Sequence, residues 1–360
     1  LRALDPRRLA FDGWDEPSLL AKHLDTFDPN APKVARLAHF GYRDGISRPR
    51  IKAMRPDPQQ AWHEPGELLL GHENDAGFSL WDRDAWDDAT REFFRNATFG
   101  VFRQIEQDEP AFARFVAQAA QAARAAGNEH ISEDYIKAKL CGRWPTGQLM
   151  TEAHDETPPE ANDPVTNNFT FGKDNDPHGF GCPFGSHIRR TNPRSDPLAP
   201  SRKRPLFRRG IPYGPKYEPG EAEGIERGLM GLFFCASIED QFETVMSEWV
   251  EKMPMGPPSR GDAKDPLVGQ HDEPQSAFDI PRADGKGARL EGFPLFARTR
   301  GTLYAFFPGR EGLRRIAASR ARGFCPPAAR GSSGGLTLLI SVSSPRSSLR
   351  RAHWGAGPLS

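Results

Sequence analysis

The chain has 360 residues, which is enough for one large or two medium domains. Its 48 basic and 48 acidic residues cancel, so it lacks the overall positive field that favours binding to nucleic acid. No apolar run approaches the ~20 residues that cross a bilayer, and four scattered cysteines form neither a zinc-binding nor a disulfide pattern. We therefore expect a globular protein without a membrane span. The lack of a signal-peptide pattern favours the cytoplasm, with reduced thiols.

The first 150 residues alternate helix and strand signals. Pro110 lies in the first turn of a periodic segment that Gly127 ends, and Ser132 precedes two acidic residues, a pattern typical of a helix start. Alternating apolar residues around Val101 indicate a strand. The predicted elements are helix and loop before residue 40, a short strand at 67–71, a helix at 82–94, a strand at 97–106, and helices at 110–126 and 132–140.

Residues 151–183 form a long connection rich in Asn, Asp and Pro, and a connection of this length is usually functional or disordered. Beyond it, apolar runs and periodicity predict strands at 229–236 and 296–307 and helices at 238–253 and 312–318. No acidic residue follows Glu311, and Arg, Ser, Gly and Pro dominate the tail. Such a composition buries little apolar surface, so we expect 319–360 to be a disordered basic tail, apart from one candidate strand at 336–342.

Three motifs contain the candidate chemistry. In the first, Gly41 and Gly45 flank Asp44 at a tight bend, which suits a close approach of the backbone to a ligand. In the second, His187 follows Cys-Pro-Phe-Gly-Ser and has no Cys or His partner at zinc spacing, which suits the single axial ligand of a haem iron. In the third, Arg208 precedes Arg-Gly-Ile-Pro-Tyr-Gly-Pro. Taken singly, each has an ordinary alternative: a solvated turn, a packed histidine and a solvated basic cluster.

The three motifs together, in this order, closely resemble the dye-decolorizing peroxidases. Further similar blocks lie at 99–108, 142–147, 231–243, 265–269 and 298–308, so the resemblance extends from about Phe40 to Ala318. It implies an α+β fold of tandem ferredoxin-like halves with antiparallel sheets, of the dimeric α+β barrel type. Because few residues precede Gly41, we expect a truncated N-terminal half at 1–150 that carries the Gly-x-x-Asp-Gly motif, and a haem-binding C-terminal half at 151–318.

The resemblance also implies haem b as cofactor and hydrogen peroxide as oxidant, with dyes, phenols or similar small aromatic molecules as electron donors. By similarity, His187 is the proximal ligand of the iron. Asp44 takes and returns the peroxide proton, and Arg208 stabilises charge on the departing oxygen. Surface Trp or Tyr radicals would carry electrons from bulky dyes. Candidates by residue type alone, with packing as the alternative, are Trp144, Tyr213, Trp249 and Tyr304.

An acidic partner on the other nitrogen of His187 would make that ligand more basic. We expect Glu239 in this role, with a solvated residue at a helix start as the alternative. Arginines near the ligand would pair with haem propionates, with solvated surface residues as the alternative. The arginines considered are Arg189, Arg190, Arg194, Arg298 and Arg300, of which Arg190 and Arg300 are preferred.

Two other functional classes compete with an active peroxidase. The short N-terminal segment favours a haem-binding module or truncated peroxidase with little turnover. The unusual basic tail suggests a structural or assembly protein instead. A homo-oligomer is compatible with each of these hypotheses.

Overall fold

The computed structural model describes residues 37–47, 49–52, 62–79, 86–129, 131–150, 167, 169–172, 175–199, 202–222, 224–252, 264–271, 276–283, 285 and 287–320. The predictions for residues 1–36 and 321–360, including the strand at 336–342, therefore lie outside the described residues. So do residues 151–166, the first part of the connection predicted at 151–183.

Four antiparallel strands form the main sheet. In spatial order they are β4 (Phe207–Tyr213), β5 (Gly228–Cys235), β3 (Thr98–Gln107) and β8 (Ala297–Phe307). The predicted strands at 97–106, 229–236 and 296–307 correspond to β3, β5 and β8. The sheet joins β3 to strands from beyond residue 150, so the boundary that we placed there does not separate two sheets in the described residues.

Two small sheets accompany the main one. A parallel pair joins β1 (Arg50–Ile51) to β2 (Trp62–His63), and an antiparallel pair joins β6 (Ala277–Ile280) to β7 (Ala288–Glu291). The prediction of a strand at 67–71 is wrong. Its place is taken by a 3-10 turn at Pro65–Glu67, and Leu70 then bonds to the main chain of Ala97 instead of to a sheet.

Besides the 3-10 turn, six helical elements connect these strands in the described residues. They are α1 (Asp88–Phe94), α2 (Glu109–Ala125), α3 (Glu133–Cys141), α4 (His187–Thr191), α5 (π-type segments Ile238–Glu243 and Val245–Val250) and α6 (Arg310–Arg320). All correspond to predicted helices except α4, which is only one turn long. None of the described helices is long and apolar enough to cross a membrane.

The helix starts follow their capping residues. The Asp108 carboxylate accepts from the amide of Ala111 at 2.9 Å, and the Ser132 hydroxyl accepts from the amide of Tyr135 at 3.1 Å. In α2 the buried residues Phe112, Val116 and Ala120 repeat every four positions and form one face. That face packs in the largest apolar cluster, together with α3 and the small sheet of β6 and β7.

The register of the main sheet determines the face from which Arg208 projects. Across the four strands, Arg208, Phe233, Val101 and Tyr304 lie opposite one another in that order. Because side chains alternate along strands, these four residues project from one face. On that face, α5 packs Phe242 against Val101. Arg208, on the outermost strand, therefore lies at the edge of a packed surface.

Candidate active site

Four segments distant in sequence surround one cavity of about 170 Å³ that is open to solvent. Asp44, His187 and Arg208 all line it. The structure thus brings together the three residues that the motifs indicated. The segments are the loop at 42–47, the end of α3 with residues 143–147, the region of α4 up to Arg194, and the first half of β4.

The loop that carries Asp44 is fixed by hydrogen bonds from the two residues that precede it. The amide of Arg43 donates to the carbonyl of Pro145 at 2.9 Å, and the Tyr42 hydroxyl donates to the carbonyl of Lys137 at 2.8 Å. Both partners lie in α3 or just after it. The Asp44 side chain is exposed at the cavity, so its carboxylate is accessible to a small molecule there.

The segment that carries His187 packs closely against the end of α3. Gly142 caps that helix with φ +97°, and a side chain there would place its Cβ 2.9 Å from Cys182 Sγ. The buried Ser186 hydroxyl donates to the carbonyl of Lys139 at 2.5 Å. His187 therefore begins a helical turn whose position is set by α3.

His187 forms a pair with a buried carboxylate. Its Nδ1 lies 2.8 Å from Oδ2 of Asp265, whose side chain is 0% exposed. Burial alone would raise the pKa of Asp265, but the charge and hydrogen bond of His187 and the charge of Arg190 outweigh it, so that pKa lies below its usual value. The ionised carboxylate only accepts hydrogen bonds, so Nδ1 carries the proton and donates. In the neutral ring, Nε2 then has the free lone pair that a metal would bind.

The Asp265 carboxylate is also held by its own turn. Its Oδ1 accepts from the amides of Leu267 at 2.9 Å and Val268 at 3.1 Å. The carbonyl of Asp265 accepts from the amide of Gly269 at 3.0 Å. A Cβ on Gly269 would lie 2.6 Å from that carbonyl oxygen, so the turn closes only around a glycine.

The prediction of Glu239 as the acidic partner of His187 is wrong, because Asp265 occupies that position. Glu239 is exposed in the first turn of α5, where a carboxylate favours the positive end of the helix. The turn pattern Asp265-Pro266-Leu267-Val268-Gly269 was the available signal. An Asp before a Pro and a nearby Gly often bonds its own main chain, but nothing in sequence spacing links it to His187.

Arg208 reaches the cavity from β4 and carries a positive charge there. Protein surrounding this side chain lowers the pKa of Arg208, while the Asp44 carboxylate raises it. A guanidinium remains protonated under either influence. The structure therefore places a permanent cation and a carboxylate near each other on the same cavity.

Further arginines make the cavity strongly cationic. Arg143 and Arg194 line it, and both donate to the side-chain oxygen of Asn167. Burial, Arg143 and Arg208 together lower the pKa of Arg194 to about 10. Like charges this close favour the binding of an anion between them.

Arg190 and Arg300 do not line the cavity in the described part of the chain, contrary to our expectation. Arg190 is fully buried, donates to the carbonyl of Lys252 at 3.1 Å and lies near Asp265. Arg300 is exposed on β8 and pairs with Glu106. Arg189 is also fully buried, and its guanidinium pairs with Asp176 and Asp196. It therefore fixes the chain segments before and after α4.

Cys141 is another cavity residue whose side chain could ligate iron. Burial raises the pKa of its thiol to about 12, so the sulfur stays protonated at neutral pH. Since a thiolate is the form that binds a metal, His187 is the better ligand.

Of the aromatic residues considered for electron transfer, Trp144, Tyr213 and Trp249 are 1%, 3% and 2% exposed, while the Tyr304 hydroxyl donates to Glu243 at 2.8 Å.

Dye-decolorizing peroxidases resemble this chain in sequence and in overall fold. The dye-decolorizing peroxidase msp1 of Mycetinis scorodonius is 30% identical over 308 residues, which cover 77% of this chain and 56% of that protein. The structure of an ancestral D-type dye-decolorizing peroxidase is 31% identical with a TM-score of 0.60, covering 77% of this chain and 62% of the other. A dye-decolorizing peroxidase solved with 2,6-dimethoxyphenol is 28% identical with a TM-score of 0.60, covering 75% and 61%.

No family model matches the chain. The chain spans about half of the length of the curated relatives it matches. The expected α+β fold of ferredoxin-like type with antiparallel strands agrees with these structures, and the described residues form no closed barrel. Over the three quarters of its length that align, the chain is similar in sequence and in fold to the dye-decolorizing peroxidases.

Proposed function

We propose that this chain binds haem b and acts as a peroxidase that uses hydrogen peroxide to oxidise dyes, phenols or similar one-electron donors. One observation carries the proposal: Asp44, His187 and Arg208 line a single cavity, and buried Asp265 holds the histidine. The peroxidase names of the relatives, and the phenol bound in one solved structure, support this class of donor.

The residues around the cavity suit haem. His187 offers Nε2 to the iron, because Nδ1 is occupied by Asp265. Arg143 and Arg194 present positive charge that matches the two carboxylates of a haem, and they replace Arg190 and Arg300 in that role. When bound, haem supplies the redox-active iron at which peroxide is cleaved.

Side chains of the protein transfer the peroxide proton and stabilise the charge that develops during cleavage. Asp44 accepts the proton from one peroxide oxygen and delivers it to the other, which leaves as water. Arg208 stabilises the negative charge that develops on the departing oxygen. Asp265 holds the proton on Nδ1 of His187 and, as a full negative charge, makes the ring a stronger donor to the iron.

A haem titration followed by visible spectroscopy tests the proposal. The protein should bind haem with a strong Soret band, and peroxide should then change the spectrum and drive oxidation of 2,6-dimethoxyphenol. H187A should lose most of the bound haem, because no other histidine lines the cavity in the described residues. The absence of a Soret band in the haem-supplemented wild type would refute the proposal.

A haem-binding protein with little turnover is the second candidate. It is favoured by the exposure of Asp44 at the cavity. The same experiment separates the two candidates: a Soret band that is lost in H187A, without any peroxide-driven oxidation of the phenol, would support binding alone.

A further inference from the structure

His271 lies directly behind the Asp265 turn. The residue is 8% exposed, and its ring stacks on Phe293 with centroids 5.3 Å apart and planes at 27°. His271 does not line the cavity, so it would contact neither peroxide nor haem. Any effect of this ring on the site must therefore pass through the turn.

The hydrogen bonds of His271 define its tautomer. Its Nε2 lies 2.7 Å from the carbonyl oxygen of Asp265. A carbonyl only accepts, so Nε2 carries the proton and donates, and Nδ1 is left with a lone pair. Nδ1 is buried and has no hydrogen-bond partner within the described ranges.

Burying an unpaired acceptor costs free energy, and a phenylalanine could stack on Phe293 without that cost. The donated bond to Asp265 is the gain that offsets it. Burial is also the main cause that lowers the pKa of His271, with Lys264 and Arg190 acting in the same direction and Asp265 opposing them. The ring is thus neutral near pH 7, with its one proton committed to the turn.

Asp265 accepts hydrogen bonds from both His271 and His187. The Asp265 carbonyl accepts from His271, and the carboxylate of the same residue accepts from His187 at 2.8 Å. The amide of Asp265 donates to the carbonyl of Val250 at 2.7 Å. The main chain of Asp265 is therefore fixed on two sides, and its χ angles alone remain to aim the carboxylate.

We propose that His271 is a positioning residue for the histidine–carboxylate pair. Its Nε2–H holds the Asp265–Gly269 turn in the orientation that brings the carboxylate to Nδ1 of His187. The inference deepens the proposed function and rests on it, since orienting His187 matters for chemistry only if that ring binds haem iron.

The test uses haem-free protein labelled with ¹⁵N-histidine, in mildly alkaline buffer where imidazoles are neutral. Long-range ¹H–¹⁵N spectra report which ring nitrogen carries the proton, and H187A identifies the signals of His187. In wild type we expect His187 to be the Nδ1–H tautomer. H271F keeps an aromatic ring but loses the N–H donor. In that variant the Nδ1–H to Nε2–H ratio of His187 should fall by about 2- to 10-fold, the range that corresponds to one neutral hydrogen bond.

H271Q is the matched control, because its amide restores an N–H donor; it should recover most of the wild-type ratio. If H271F does not fold, H271M takes its place, since Met fills irregular space and has no donor. An unchanged His187 ratio in a folded H271F or H271M would overturn the inference. The measurement needs no haem. A failure to bind haem would therefore refute the proposed function without affecting the result on the His187 tautomer.

Discussion

A buried carboxylate beside a histidine alters the chemistry available to both residues. Asp265 is ionised although it is fully buried, and this charge decides which nitrogen of His187 is protonated. The motifs identified Asp44, His187 and Arg208, because each lies in a distinctive local pattern. They did not identify Asp265, which is 78 positions from His187 and becomes its neighbour only through folding.

Replacing Asp44 tests its role in proton transfer. D44N should bind haem normally and react with peroxide ~10²–10⁴-fold more slowly, the usual loss when acid–base help is removed. Stopped-flow absorbance after mixing with peroxide measures the rate. R208L serves for comparison: a normal rate in D44N together with a collapsed rate in R208L would transfer the main role to Arg208.

The low pKa of Asp265 gives stability a pH dependence. A carboxylate whose pKa is depressed by folding contributes fully above its unfolded pKa of ~3.9 and loses that contribution as the pH falls through the lower folded value. We expect D265N to be about 1.5–3 kcal/mol less stable than wild type at pH 7, the range of a charged hydrogen bond. Urea unfolding across a pH series should show this difference shrinking below about pH 4. A difference that stays constant down to pH 2 would show that the pair is not ionic.

At the scale of elements, prediction succeeded where local signals were complete. The helices α2 and α3 have capping residues and periodic apolar faces, and β3, β5 and β8 contain long apolar stretches. It missed β4 and α4, which carry Arg208 and His187. Both are short and polar, and their conformation depends on pairing with β5 and packing on α3. The functional elements are thus the ones that tertiary contacts specify.

The Asp265–Gly269 turn provides a test at this scale. In G269A, the new Cβ would meet the Asp265 carbonyl oxygen at 2.6 Å and the amide nitrogen at 2.9 Å. The turn must shift, which we expect to cost about 1–3 kcal/mol of unfolding free energy and to weaken haem binding. G172A is the control, because a Cβ there meets no atom closer than 3.5 Å. Thermal melts and haem titrations compare the two; equal behaviour would mean that the turn tolerates the methyl group.

At the scale of the whole molecule, the cavity is made by segments up to 168 positions apart, and binding there should stabilise the entire fold. Its wall runs from Tyr42 to Gly210, with Asp44 and Arg208 near the two ends of that span. A ligand that bridges these segments binds the folded chain and not the unfolded one.

Haem should therefore raise the melting temperature. At a free concentration ~100 times the dissociation constant, the gain in unfolding free energy is about 2.7 kcal/mol. Differential scanning calorimetry with and without haem measures it, and H187A provides the reference, in which the gain should largely disappear. An equal gain in H187A would indicate haem bound away from this cavity.

The cationic wall of the cavity also affects how quickly anions reach it. Five arginines and one carboxylate line it among the described residues, whereas the complete chain has no net formal charge. A local imbalance of this kind focuses the field at a cleft and accelerates the encounter with anions. Salt shortens the reach of that field from ~30 Å at 0.01 M to ~10 Å at 0.1 M. If the chain is the peroxidase proposed above, sulfonated donors should thus react faster than neutral phenols at low ionic strength and lose that advantage as it rises, so the preferred donor would depend on the surrounding electrolyte as well as on the shape of the cavity.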